Sequence, residues 1–323
     1  RWAWESFWLV MGVAAWLAAP WTVALFTTPD LLSVLRNSPP NAIGLAMLFG
    51  LLWGLGNLTF GLSVRYLGMA LGYAVALGFC MVFGTLIPPI VQGEFGGILA
   101  TTSGRMILGG VAACLGGIAI CAAAGICKEK ELSDAQKRTS VDEFALGKGF
   151  AVATLAGILS ACFAFGLAAG KPIAALAVAA GTEPLYQNNS VLVVVLAGGF
   201  LSNVAWCLLL NFKNGTFGDY VRGTPGRQLG NYLLSASAGV VWYGQFFFYG
   251  MGTTKLGPRY DFSSWSIHMA FIIVFSNLWG LYFREWHGTG RRTKRLVWLG
   301  IATLVVSTIV IGYGNYLAAP DGS

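Results

Sequence analysis

The sequence predicts an all-α, polytopic membrane protein. It reads as an inverted repeat of five plus five transmembrane helices, with the first helix absent from this chain and nine spans left. Three observations predict this. Apolar runs of about twenty residues, the length a helix needs to cross a bilayer, recur along the whole chain. The composition is 56% hydrophobic and only 10% charged, against about 25% charged in a soluble domain. A motif around Trp53 returns around Trp242 at a constant spacing.

The apolar runs place spans at 6–26, 42–63, 67–88, 105–126, 149–170, 190–211, 232–253, 264–283 and 296–317. The stretch from Trp53 to Pro89 organises the rest. It predicts two helices joined by a very short hinge that carries Arg65, with the amide of Asn57 among aromatic residues. Many of the 44 glycines fall inside the spans and suit close helix–helix approach. The polar linker at 127–148 holds five basic residues and the acids Glu129, Glu131, Asp134, Asp142 and Glu143. The expected division is 1–126, a first repeat with four of its five helices; 127–148, a cytoplasmic linker; and 149–323, a second repeat of five helices.

Trp53, Phe60, Gly61, Leu67 and Gly68 align with Trp242, Tyr249, Gly250, Leu256 and Gly257 at an offset of 189. Arg105 and Gly110 align with Arg295 and Gly300 at 190. Repeats of this kind build secondary transporters; chance overlap of Gly/Trp-rich helices is the alternative. The offset gives the span at 149–170 a partner that would precede Arg1, hence the missing first helix. A plain nine-span protein is the alternative to that.

Charge sets the expected orientation. Counted on alternate sides of the spans, Lys and Arg divide fifteen to five, and the richer side should be cytoplasmic. Arg1 then lies inside and the C-terminus outside, and the two copies of the motif run in opposite directions. The net charge of +7 is accounted for by topology, so no nucleic-acid partner is implied.

The residues point away from an enzyme. There are two histidines and no P-loop, Gly-x-Ser-x-Gly elbow or His-Glu-x-x-His motif. The six cysteines contain no CxxC pair and read as small packing residues. No metal or cofactor is expected. Energy should come from an ion gradient or from the substrate's own gradient.

Ionisable groups within spans are functional candidates because they are costly there. Asp261, His268 and Glu5 are the proton-coupling candidates. Asp261 and His268 are seven apart, one face of a helix, with Trp265 between them. Asp261 as a helix cap paired with Arg259, His268 as a core histidine and Glu5 as an interfacial acid are the plainer alternatives. The amides are Asn57, Asn203, Gln245 and Asn277. Asn57 and Gln245 sit near mid-span on repeat-related helices, flanked by Trp or Phe. A sugar needs this mixture of amides for hydroxyls and aromatic faces for the apolar side of the ring. Trp53, Asn57, Tyr243, Gln245, Tyr249 and Trp265 are therefore the expected substrate-binding set. Interhelical hydrogen bonding is the alternative role for the amides. The run Phe246–Tyr249 covers every face of its helix, so part of it must face lipid or packing.

Several stretches carry a family resemblance: Trp2 to Glu5, Trp53 to Asn57, Val64 to Met69, Gly84 to Leu86, Trp242 to Tyr249, Tyr260-Asp261 through Trp265 to Met269, Glu285-Trp286 and Gly290 to Arg292. The chain resembles the L-rhamnose–proton symporter family of bacterial inner membranes, within the drug/metabolite transporter superfamily. The resemblance covers essentially the whole chain. It implies a ten-helix inverted repeat with both termini outside, and uptake of a 6-deoxyhexose with a proton. The departure from the pattern is the first helix. The expected function is thus proton-coupled sugar import by alternating access, around a midplane site between the spans at 6–26, 42–63, 67–88, 190–211, 232–253 and 264–283. The partners are a sugar, protons and the lipid bilayer, and a monomer is expected. Export or exchange of another small metabolite, or a non-transporting membrane sensor, are the alternatives.

Overall fold

The computed structural model describes residues 2–131, 145–256, 261–284 and 286–318. Among these residues every regular element is helical. In chain order they are α1 (Trp4–Gly12), a π-helical turn (Val13–Ala18), α2 (Ala19–Thr27), α3 (Leu31–Asn37), α4 (Pro40–Val91), α5 (Phe95–Ala100), α6 (Thr102–Glu131), α7 (Leu146–Ala169), α8 (Lys171–Ala179), α9 (Asn189–Asn214), α10 (Pro225–Thr253), α11 (Ser263–Tyr282) and α12 (Arg291–Tyr316). Arg1, most of the expected linker (132–144), the Gly257-Pro258 break, Arg259, Tyr260 and Glu285 lie outside the described residues.

Among the described residues seven helices are long and apolar enough to cross a membrane, where the sequence suggests nine. They are Trp4–Thr27, Pro40–Leu67, Thr102–Lys128, Gly147–Ala179, Pro184–Asn214, Ser263–Tyr282 and Arg291–Tyr316. The span expected at 67–88 corresponds to a shorter apolar stretch, Val75–Val91. The span expected at 232–253 lies in α10, which is 29 residues long; Asn231, Ser235, Ser237 and Gln245 dilute its apolar character.

The expected hinge takes an unusual form. Helical hydrogen bonding runs unbroken over the 52 residues of α4. A straight helix of that length would measure about 78 Å, against about 30 Å of bilayer hydrocarbon. Instead it doubles back. The rings of Phe60 and Tyr73 lie 4.7 Å apart, where a straight helix would separate their positions by about 20 Å. Gly72 packs against the backbone of Val64, 3.0 Å from where its Cβ would stand. Arg65 is exposed at this bend, and the Tyr66 carbonyl accepts the N–H of Ala145 at 3.2 Å.

Packing divides the chain into two compact units that cut across the sequence halves. Unit 1 is Arg1–Leu55 with Cys162–Lys255; unit 2 is Gly56–Ala161 with Leu256–Ser323.

In unit 1, α9 is the central helix. Every residue from Asn189 to Leu196 is buried, as expected of a helix that is apolar all round. The π turn before α2 has an identifiable cause. Pro20 has no N–H and follows Trp16 by four, so the α-helical bond to the Trp16 carbonyl cannot form. The turn widens, and the Ala19 N–H reaches back five residues to the Ala14 carbonyl. Close contacts rest on missing side chains: a methyl group at Gly239 would strike the Met11 carbonyl, and one at Gly198 the Met47 carbonyl.

Unit 2 is built on an antiparallel pair, α6 and α12. Gly110 faces Ile311, Gly117 faces Leu304, Gly300 faces Cys121 and Gly314 faces Ile107. The small residues let two helices touch along their length. One end of the pair is tied by Glu131, whose carboxylate accepts the Gly290 N–H at 2.7 Å and the Thr293 hydroxyl at 2.8 Å. Lys128 lies 5.0 Å over the Trp286 ring beside it.

Candidate functional site

Unit 1 holds an aromatic box. The Trp53 ring lies 6.3 Å from Trp16, 5.8 Å from Trp242, 5.6 Å from Phe246 and 5.2 Å from Phe163. Trp16 and Trp242 are 5.5 Å apart. Two glycines make room for two of these indoles. The Trp16 ring leans back over Gly12, and the Trp53 ring fills the space beside Gly199; a Cβ on either glycine would stand 2.6–2.7 Å from the ring. Of the expected set, Trp53 and Tyr243 are buried, with 4% and 3% of their surface exposed, and the Tyr243 hydroxyl has no hydrogen-bond partner among the described residues. Gln245 and Tyr249 are half-buried and share a stripe of α10 with Trp242. In the Phe246–Tyr249 run, Phe246 is 4% exposed and enters the box, while Phe248 is 68% exposed and faces outward.

One face of α1 links this box to a polar network at its other end. Trp8 donates its indole N–H to Asn203 Oδ1 at 3.0 Å, and its ring lies 5.9 Å from Trp16. Asn203 in turn donates to the Gly199 carbonyl at 2.8 Å. Glu5, a proton-coupling candidate with an interfacial acid as the plainer alternative, is 5% exposed. Its Oε1 accepts Asn214 Nδ2 and the Thr216 hydroxyl, both at 2.9 Å. Asn211 continues the network, accepting from Ser6 Oγ at 3.3 Å and donating to Tyr220 Oη at 3.2 Å. Eleven residues separate Glu5 from Trp16, about 16 Å of helix. Glu5 and Trp16 thus lie on one continuous helical segment, Trp4–Thr27. The sequence reading passed over Trp16 and the partners of Glu5. Pro20 four residues after Trp16 is the signal for the first; the partners of Glu5 are some 200 residues away and leave no local pattern.

Unit 2 holds the other expected residues. Trp265 is 3% exposed, and its N–H donates to the Cys80 carbonyl at 3.1 Å. It packs against Gly84, where a methyl group would strike its ring. That describes a packing residue as well as a sugar contact. His268 is half-buried, its ring 5.6 Å from Trp265. Asp261 lies in the turn before α11, whose N-cap is Phe262, so helical spacing to His268 starts only at Ser263. Its carbonyl accepts the Ser264 N–H at 3.0 Å. Asn57 is half-buried, and its Nδ2 has no hydrogen-bond partner among the described residues. Asn277 is turned onto its own helix, donating to the Ile273 carbonyl at 2.9 Å. An open groove of about 440 Å³ lies along Val75, Phe79, Leu115, Ile118, Ala122 and Phe150. Its walls are apolar, so it offers a sugar no hydrogen bonds. No group of His, Cys, Asp and Glu among the described residues is arranged to hold a metal ion.

A buried aromatic box, amides and a buried carboxylate on membrane-length helices suit transport of a polar, ring-shaped solute. Comparison with known proteins identifies the family. The family model described as L-rhamnose-proton symport protein (RhaT) matches residues 1–317. The chain belongs to this family. Its relatives include the L-rhamnose-proton symporter of Cronobacter sakazakii, 38% identical over 97% of this chain and 90% of that protein. Those of Citrobacter koseri and Mannheimia succiniciproducens are 36% and 35% identical over the same shares. No solved structure matches. As a RhaT-family protein the chain is a membrane transporter, which agrees with the lack of catalytic motifs in its sequence.

Proposed function

We propose that this protein imports L-rhamnose, or a closely related deoxy sugar, together with a proton across the bacterial inner membrane. The observation that carries the reading is the family match over residues 1–317. Export or exchange of another metabolite, and a sensor role, have no comparable support. The aromatic box supports it chemically. Indole faces suit the apolar side and the methyl group of a 6-deoxyhexose, while amides and hydroxyls answer its remaining hydroxyls.

Trp53, Tyr243, Gln245 and Tyr249 in unit 1, with Asn57 and Trp265 in unit 2, are the substrate-binding residues of this proposal. Asp261 is the first choice for the proton carrier, because it precedes the span at 263–282 and is reachable from the outer side. His268 is the alternate or a relay, and Glu5 is the candidate in unit 1. Each acid or histidine must bind a proton on one side, release it on the other and respond to the sugar. The transport cycle is alternating access between inverted repeats, with the 127–148 linker cytoplasmic and the C-terminus periplasmic. A nine- or ten-span count belongs to that proposal, and a monomer is its working unit.

Proteoliposome uptake tests it. L-Rhamnose should accumulate against its gradient when the outside is acidic, and accumulation should collapse with a protonophore. Uptake that ignores the pH gradient, or a panel in which L-rhamnose and its deoxy relatives are not transported, would overturn the reading.

A further inference from the structure

We propose that Trp16 is a sugar-binding residue, its indole N–H donating to a hydroxyl of the sugar, with the Tyr243 hydroxyl as a second polar contact of unit 1. This rests on the sugar-transport reading above and adds residues to it. The observation is an orphaned donor. Trp16 is 1% exposed, and its Nε1 has no hydrogen-bond partner among the described residues. By contrast, the buried Trp265 donates to the Cys80 carbonyl at 3.1 Å, and the half-buried Trp8 to Asn203 at 3.0 Å. Thr28, Thr154 and Thr182 also have buried hydroxyls unpaired among the described residues, but an indole N–H differs from a hydroxyl in that it can only donate and its direction is fixed by the ring. A buried donor without an acceptor calls for a functional explanation.

The surroundings fit a pyranose. The Trp16 ring is edge-on to both Trp53 and Trp242. Its position is set by two features, the recess at Gly12 and the π turn that Pro20 forces, whose Ala14 and Ala15 also pack against Gly239 of α10. In this structure the rings of the box touch one another. A sugar entering between them exchanges ring–ring contacts for ring–sugar contacts and supplies the missing acceptor.

Trp16→Phe keeps an aromatic ring, though a smaller one, and removes the donor. Calorimetry on purified protein with L-rhamnose and its monodeoxy analogues is the test. The variant should bind L-rhamnose about five- to two-hundred-fold more weakly. One analogue that costs the wild type affinity should cost the variant none, which identifies the partner hydroxyl. Affinity within twofold of wild type, or unchanged penalties for every analogue, would overturn the assignment. Should the variant fail to fold, the ¹⁵N-labelled indole resonance of Trp16 in the wild type decides. A shift on adding L-rhamnose supports the assignment, and an unmoved resonance at saturation refutes it. A wild type that binds a different sugar through a Trp16-dependent contact would overturn the rhamnose reading and leave this one standing.

Discussion

At Gly12 and Gly199 the space left by the missing side chain is filled by a tryptophan ring of the same unit. At Gly110, Gly117, Gly300 and Gly314 it is filled by a facing helix. Unit 1 also brings helices together at Gly198 and Gly239, and unit 2 seats the Trp265 ring at Gly84; what sets Gly12 apart is that the indole over it has an N–H unpaired among the described residues. The α6–α12 glycines bring two helices together, and Glu131 ties their end. The Gly12 recess has a donor left over for a ligand; the α6–α12 pair is closed by its own contacts. The difference teaches that glycine content alone says little about a membrane helix. What fills the recess decides whether the glycine serves binding or assembly.

The largest expected effect asks which unit carries the proton. Asp261→Asn mimics the protonated acid. It should abolish gradient-driven accumulation yet keep exchange of labelled sugar, and sugar binding should lose its pH dependence. Asn is itself a good helix cap, so a purely structural Asp261 would leave accumulation near wild type. Accumulation intact in Asp261→Asn but lost in Glu5→Gln would move coupling to unit 1. Loss confined to His268→Gln would move it one turn into α11.

Next in size are the two amides, one in each unit. Asn57→Ala and Gln245→Ala should each weaken L-rhamnose binding by about 1–3 kcal/mol, or about five- to two-hundred-fold. Calorimetry showing unchanged affinity in both would make them interhelical contacts.

A pair of glycine variants sharpens the contrast directly. Gly12→Val displaces the Trp16 ring and should lower sugar affinity about tenfold, ~1.4 kcal/mol, with a smaller loss of folded yield. Gly110→Val overpacks the α6–α12 contact, at a cost of about 1–3 kcal/mol. It should lower the melting temperature by several degrees while affinity stays within twofold. The same phenotype from both would erase the distinction between the two recesses.

The smallest effect is at Glu131. Its bonds to the Gly290 N–H and the Thr293 hydroxyl hold its carboxyl below the ordinary value of 4.5. A lowered folded pKa gives stability that is present above the unfolded pKa and lost as pH falls through the folded one. The side chain is fully exposed, so the gain is slight. Glu131→Gln should melt marginally below wild type at pH 7, and the two curves should converge as the pH falls through the lowered folded value. A constant gap at all pH values would assign the effect to packing instead.

Much of this was legible in the residues. Apolar runs locate the helices, and the bend of α4 lies where Arg65 interrupts its apolar face. Trp53 and Tyr243 were readable as site candidates because aromatic and polar residues share one short motif. The span at 232–253 lies in α10, which is longer than expected at 29 residues, but whose Asn231, Ser235, Ser237 and Gln245 make it less apolar than the other long helices. The interleaved units were not legible. They depend on which distant helices pack, as α9 does with α1, and that is decided by side-chain fit between segments some 200 residues apart. Trp265 shows the same limit: its indole suggests a sugar face, but its N–H is committed to the Cys80 carbonyl, a partner no local pattern reveals.

The indoles of unit 1 also form an optical circuit. Trp4 stacks on Trp8 at 5.3 Å, Trp8 meets Trp16 at 5.9 Å, and Trp16 meets Trp53 and Trp242 at 6.3 and 5.5 Å. Five of the twelve tryptophans are thus in one chain of ring contacts. At such separations excitation passes between rings faster than it is emitted, so light absorbed at Trp4 can leave from the box. The protein carries its own antenna, and a molecule that parts Trp16 from its neighbours would change the colour and intensity of the whole chain's emission without any added dye.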